Sequence, residues 1–209
     1  MLKNYAKGKI IALEGIDKSG KTTQSKLLMD YLNSMTNFKA VQMDFPNYST
    51  LSGIEIHRHL KGQTIYNPYA LHVLFTLNRY EEKPLIEKLL KEGSIVVMNR
   101  YYQSNIIYGL ADGITSHEWL ESLDKKMPQS DITIILDISV EESMSRNPNP
   151  DIKEQDKNYL RQVKEYFVKY ANIYGWKIIE ASNKSKEDIH KEVVKIVEKC
   201  NIISDSRSS

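Results

Sequence analysis

Short runs of apolar, often β-branched residues alternate along nearly the whole chain with stretches whose apolar positions recur every three or four residues. The strand candidates are Lys9–Leu13, Ala40–Asp44, Ser94–Met98, Ile132–Asp137 and Trp176–Glu180, and most are continuously apolar. That pattern is expected of strands covered on both faces in a parallel sheet. Lys21–Asn33 carries Leu27, Leu28, Tyr31 and Leu32 on one helical stripe. Tyr69–Leu90 predicts a second helix, broken or kinked at Pro84, and Asn158–Tyr174 and Lys186–Lys199 predict two more. Ser139-x-x-Glu142 reads as a capping box opening a helix after the fourth strand. Strand–helix alternation with crossovers of this length predicts an α/β fold, a doubly wound parallel sheet of five strands flanked by helices.

No repeat and no Pro- or Gly-rich linker divides the chain, so residues 1–203 read as one domain and 204–209 as a disordered polar tail. The one break in pattern is Arg146–Asp151, polar and twice interrupted by proline, which predicts a short lid over about 146–157. A length of 209 residues suits a single core, and a net charge of +2 is too small for a general nucleic-acid binder. Apolar runs fall far short of the roughly 20 residues of a membrane helix. The charged start, Met1–Lys7, does not read as a secretory signal, and the single Cys200 fits a reducing compartment. These bounds predict a cytoplasmic protein without membrane or nucleic-acid partners.

Chemistry is concentrated first in Gly15-Ile16-Asp17-Lys18-Ser19-Gly20-Lys21-Thr22, a full G-x-x-x-x-G-K-[ST]. At ordinary glycine frequency a chance match in a chain of this length is on the order of one per cent. An apolar run precedes it and an amphipathic helix follows, the context a phosphate loop needs. Its glycines let backbone N–H groups converge on a phosphate, and the helix start adds a positive end. Gly15, Asp17, Lys18, Ser19, Gly20, Lys21, Thr22 and Thr23 are therefore the donor-binding candidates. Lys21 is assigned to the β- and γ-phosphates of a nucleoside triphosphate and the Thr22 hydroxyl to Mg²⁺. The fold expected is that of the P-loop NTPases. A guanine-specific switch is disfavoured, because Asn183-Lys184-Ser185-Lys186 lacks the carboxylate of an Asn-Lys-x-Asp element.

Further motifs follow in a fixed order: Asp44-Phe45-Pro46, Leu74-Phe75-x-x-Asn78-Arg79-Tyr80-Glu81, Asn99-Arg100-Tyr101-x-x-Ser104-Asn105-x-x-Tyr108, and Leu136-Asp137 with Glu141 and Arg146. Taken alone, Arg79 and Arg100 are ordinary surface ion-pair residues, and Phe75 and Tyr108 are ordinary core. Together with the phosphate loop, the motifs resemble the thymidylate kinases over roughly residues 9–181. The resemblance implies an ATP:dTMP phosphotransferase using Mg²⁺, typically a homodimer. It implies that Asp17 meets the 3′-hydroxyl of the acceptor and that Phe75 stacks on thymine, with Phe45 and Pro46 shaping the pocket. Arg79 and Asn105 would read the base edge, Arg100 would hold the acceptor phosphate beside Ser104, and Tyr108 would exclude a 2′-hydroxyl. Lys18 and Arg146 would reach the transferring phosphoryl group, joining Lys21 and Arg100 as the catalytic set.

The chain departs from the family at three places. Asn99 stands where many members have aspartate, which lowers the local negative charge and leaves two outcomes open, slower turnover or partial compensation by Asp17 or Glu14. Tyr48 stands where several have an arginine for the acceptor phosphate, and Lys153-Glu154 lacks the aromatic of an aromatic–Glu pair. Two alternatives stay open: a kinase of another monophosphate such as dUMP, and a low-turnover nucleotide-binding regulator. His57 and His59, two apart on a helix, read as solvated rather than as a metal pair. Lys153, Lys157 and Arg161 read as a solvated helix face, with membership of the lid as the alternative for Lys153.

Overall fold

A computed structural model describes residues 4, 6–35, 39–148, 150–200 and 202. The tail at 204–209 lies outside the described residues. The elements run β1 (Lys9–Glu14), α1 (Lys21–Ser34), β2 (Ala40–Asp44), α2 (Leu51–Leu60), α3 (Pro68–Lys91) and β3 (Ile95–Asn99). Next come α4 (Tyr102–Ala111), α5 (His117–Leu123), β4 (Ile132–Asp137), α6 (Val140–Ser145), a 3-10 turn (Lys153–Gln155), α7 (Lys157–Tyr174), β5 (Lys177–Glu180) and α8 (Lys186–Lys199). All five strands are parallel, in the order β2-β3-β1-β4-β5. Strand order therefore reverses beside the central β1, the point at which open α/β sheets bind ligands beyond their carboxyl ends.

The three central strands, β3, β1 and β4, are covered on both faces, which is why they show no polar alternation. On one face Ile11 and Leu13 pack with Leu28 and Leu32 of α1, Phe167 of α7 and Val193 of α8. On the other Ile10 and Ala12 pack with Ile86 and Leu90 of α3 and Leu120 of α5. Burying one such side chain fully contributes about 1.5–3 kcal/mol. Helix α4 feeds both clusters, Ile106 into one and Ile107 into the other. Among the described residues no helix is long and apolar enough to cross a membrane.

Each predicted strand forms within one residue of its expected ends, and α1, α3, α7 and α8 lie where the periodicity puts them. The break expected at Pro84 does not occur. The proline lies inside an unbroken α3, on its exposed side, where water can take the carbonyl it leaves unbonded. Of the capping box, one half forms: the Ser139 side chain accepts from Glu142 N at 3.2 Å. The reciprocal bond is replaced, since Ser139 N donates to Ser182 Oγ at 2.9 Å and Glu142 pairs with Arg146.

Candidate active site

The loop between β1 and α1 takes its shape from glycine. Gly15 has φ +136°, and a Cβ there would lie 2.5 Å from the Leu136 carbonyl oxygen of β4. Gly20, in the left-handed region at φ +97°, starts α1. Lys18 also has positive φ and is exposed at the tip, while Ser19 is buried. Lys21 folds back under the loop, its Nζ donating to Ile16 O at 2.7 Å and to Ser19 Oγ at 3.3 Å. Burial and then the nearby Arg100 guanidinium push its ammonium down to about 7, against the pull of Asp17 and Glu14. Thr22 and Thr23 open α1 on the exposed side. A loop shaped by two positive-φ glycines and running into a helix N-terminus over a buried lysine is the arrangement a phosphate cradle requires.

Arg100 leaves the end of β3 with φ +65°, an unfavourable conformation for a residue with a Cβ. Its backbone N–H donates to Leu13 O at 3.0 Å, and its guanidinium bonds Gly15 O at 3.0 Å, Ser104 Oγ at 3.1 Å and Asp17 Oδ1 at 2.6 Å. The guanidinium also lies 5.2 Å from the centre of the Tyr108 ring. Burial alone would raise the Asp17 carboxyl, but Arg100 and Lys21 outweigh it and hold it well below the usual range.

Glu14, which the sequence offered only as a spare charge, has a different task. Helix α4 has no side-chain cap of its own at Tyr101. The buried Glu14 carboxylate supplies one, accepting from Tyr101 N at 2.8 Å, Ser104 N at 3.2 Å and Ser104 Oγ at 2.5 Å. Burial nevertheless raises its pKa. The carboxylate beside Asn99 is neither Glu14 nor Asp17 but Asp44. Asn99 Nδ2 donates to Asp44 Oδ1 at 2.6 Å and to Thr22 Oγ1 at 3.1 Å, while Asn99 Oδ1 is buried without a partner.

A cavity of about 390 Å³ adjoins the loop, and Asp17, Phe45, Pro46, Tyr48, Phe75, Arg79, Arg100, Ser104, Asn105 and Tyr108 all line it. The Phe45–Pro46 peptide is cis. Arg79 is buried, its Nε and Nη2 bonding Asp124 at 2.7 and 2.6 Å; among the described residues Nη1 has no protein partner. Burial and the Asp151 carboxylate push the Tyr48 phenol up to about 12.

The segment expected as a lid covers this cavity with Asp151, Ile152, Lys153 and Glu154. Arg146 Nη1 reaches Lys18 O at 3.3 Å, and Ser143 Oγ of α6 bonds Asp17 O at 2.7 Å. Burial and then the neighbouring Asp17 carboxylate raise the Glu154 pKa. Lys153 is not part of a solvated face, because its ammonium reaches Asp112 at 2.5 Å. Lys157 and Arg161 pair with Glu141. His57 is exposed as expected, whereas His59 is half-buried at the cavity wall, its Nδ1 3.2 Å from Thr64 O.

A phosphate loop after the central strand, facing a cavity lined by guanidinium groups and aromatic rings, defines a P-loop nucleotide kinase. The family model described as thymidylate kinase matches residues 13–193. A thymidylate kinase from Schizosaccharomyces pombe is 32% identical over 204 residues, covering 94% of each chain. One from Plasmodium falciparum is 31% identical over 202 residues, 97% of this chain and 95% of that protein. The solved structure of a thymidylate kinase from Candida albicans superposes with a TM-score of 0.84 at 27% identity, covering 94% of both chains. The chain belongs to the thymidylate kinase family.

Proposed function

We propose that the protein transfers the γ-phosphoryl group of Mg·ATP to dTMP, giving dTDP and ADP. The observation that carries this reading is the Arg100–Asp17 pair, which joins the acceptor cavity directly to the phosphate loop. Family membership supports the acceptor's identity. The donor's phosphates lie in the loop of Gly15, Ser19, Gly20 and Lys21, with Thr23 beside them and Lys18 above. The Thr22 hydroxyl is the side chain for Mg²⁺, with Asn99 and Asp44 behind it. The metal supplies neutralisation of phosphate charge; the orphaned Asn99 Oδ1 and the Asp44 carboxylate suit a hydrated cation there.

The acceptor is held by roles this chain divides among its own residues. Arg100, beside Ser104, binds the acceptor phosphate, and Asp17 takes the 3′-hydroxyl. Phe75 stacks on thymine above Phe45 and Pro46. Asn105 and the free Nη1 of Arg79 read its edge, and Tyr108 fills the space of a 2′-hydroxyl. The attacking phosphate oxygen is already anionic, so the protein needs no strong general base and works by positioning and charge neutralisation. Residues 146–157 act as a lid that brings Arg146 to the transferring group and excludes water.

An exposed apolar row on α3, Tyr69, Val73 and Leu77, lies at four-residue spacing, with Leu51 and Ile54 of α2 also exposed. It supports assembly as a homodimer. The single exposed Cys200 fits a reducing, cytoplasmic setting. Following dTMP, ATP, ADP and dTDP together by ³¹P NMR tests the reaction. Growth of dTDP supports it, and ADP without dTDP contradicts it.

A further inference from the structure

On the wall of the same cavity, a second polar centre lies outside the phosphoryl-transfer roles. Asp112 follows the last residue of α4, where a helix presents its negative end, so a buried carboxylate there needs compensation. Its side chain is 3% exposed and takes three donors: His72 Nε2 at 3.1 Å, Tyr159 Oη at 2.7 Å and Lys153 Nζ at 2.5 Å. Burial pushes the Asp112 carboxyl up, but the hydrogen bonds from His72, Lys153 and Tyr159 outweigh it and hold it low. These donors come from α3, α7 and the 3-10 turn of the lid segment.

The other ring nitrogen of His72, Nδ1, lies 2.8 Å from Asn105 Oδ1. The Asn105 amide cannot be turned round, because its Nδ2 faces Thr76 Oγ1 at 3.1 Å, His72 O at 3.3 Å and Asp124 Oδ2 at 3.5 Å. Thr76 Oγ1 itself donates to His72 O at 2.9 Å, leaving it an acceptor towards Asn105. Both ring nitrogens of His72 thus face oxygen acceptors, an arrangement that a ring carrying hydrogen on both nitrogens satisfies.

We propose that His72 and Asp112 are positioning residues that couple docking of the lid lysine, Lys153, to the orientation of the Asn105 amide in the acceptor cavity. The proposal rests on the acceptor reading of that cavity. Asp112 is the anion shared by the lid and the imidazolium, and the imidazolium fixes the amide oxygen of Asn105. When Lys153 leaves, the two buried carboxylates are still matched by Arg79 and His72, so the lid undocks without stranding a buried charge. In the other direction, a base that bonds the amide held in this orientation favours the docked lid.

The test is a double-mutant cycle read by calorimetric dTMP binding, using wild type, Lys153→Met, His72→Gln and the double variant. Each single variant is expected to weaken dTMP about threefold to tenfold, and the double variant by clearly less than the product of the two. Lys153→Arg should recover most of the loss. Effects that multiply would overturn the coupling. A second arm needs no acceptor: ¹⁵N NMR of the wild-type imidazoles should show His72 with both nitrogens protonated, with Lys153→Met shifting its resonances. A singly protonated ring, or resonances unmoved by Lys153→Met, would overturn the proposal even if His72→Gln fails to fold. Wild-type protein that binds no dTMP would instead sink the acceptor reading, and the NMR arm would still decide the relay.

Discussion

Arg100 Nη2 and Asp17 Oδ1 meet at 2.6 Å although 83 residues separate them, and the pair fixes the phosphate loop against the acceptor cavity. One guanidinium bonds the loop carbonyl of Gly15, the Asp17 carboxylate and Ser104 together. A lysine carries the charge but cannot span three partners. Arg100→Lys should therefore raise KM for dTMP about tenfold or more and lower kcat, with KM for ATP much less affected. Steady-state kinetics with each substrate varied checks this, and an unchanged KM for dTMP contradicts it.

Lys21 offers a prediction with a definite sign. In the empty site its pKa lies near about 7, below its ordinary 10.5, so the unfolded chain binds more protons between those values. The contribution of this group to stability accordingly rises with pH across that window. ATP brings negative charge to the ammonium and restores its proton, so binding at about pH 8.5 should take up close to one proton, and at about pH 6 almost none. Calorimetry in buffers of different ionisation enthalpy measures the uptake directly. A buffer-independent enthalpy at the higher pH contradicts the arrangement.

Asn99 lies against the Asp44 carboxylate at 2.6 Å. Asn99→Asp would set two carboxylates side by side, a pair that disfavours joint ionisation and favours a divalent cation. The variant should melt about 2–4 °C lower without metal and recover on adding Mg²⁺, which should leave wild type nearly unchanged. Equal melting with and without Mg²⁺ in the variant would show that the two side chains do not face a common metal position.

The lid meets the phosphate loop through Glu154 and Asp17. Burial and the neighbouring carboxylate raise the Glu154 pKa above its ordinary 4.5, so the folded protein holds a proton there that the unfolded chain has lost. That contact is strongest at low pH and weakens as pH rises through the raised value. Glu154→Gln removes the titration, and hydrogen exchange in residues 150–156 should then be slower than wild type at about pH 8, with little difference at about pH 5.5. Equal exchange at the higher pH would mean that the two carboxyls do not restrain the lid.

The sheet was legible because parallel strands buried on both faces leave continuous apolar runs such as Ile132–Leu136, and the phosphate loop because its motif is local. Helix α4 went unread for two physical reasons. It buries Ile106 and Ile107 in different clusters, so no stripe shows, and its cap is Glu14, 87 residues upstream of Tyr101. The acceptor candidates were legible only through resemblance, since Phe45, Phe75, Arg100 and Tyr108 come from separate elements. Asp124 behind Arg79, His72 behind Asn105 and Asp112 behind His72 gave no signal at all, because contacts across 33 to 45 residues leave no periodicity in one sequence.

The central claim is transfer to dTMP, and kcat/KM with saturating Mg·ATP across ribo- and deoxynucleoside monophosphates tests it most directly. dTMP is expected to be the best acceptor, dUMP weaker because it lacks the thymine methyl, and ribonucleotides poor because Tyr108 occupies the 2′ side. Equal or better turnover of a purine or ribose monophosphate, or ATP binding without transfer to any of them, would contradict it.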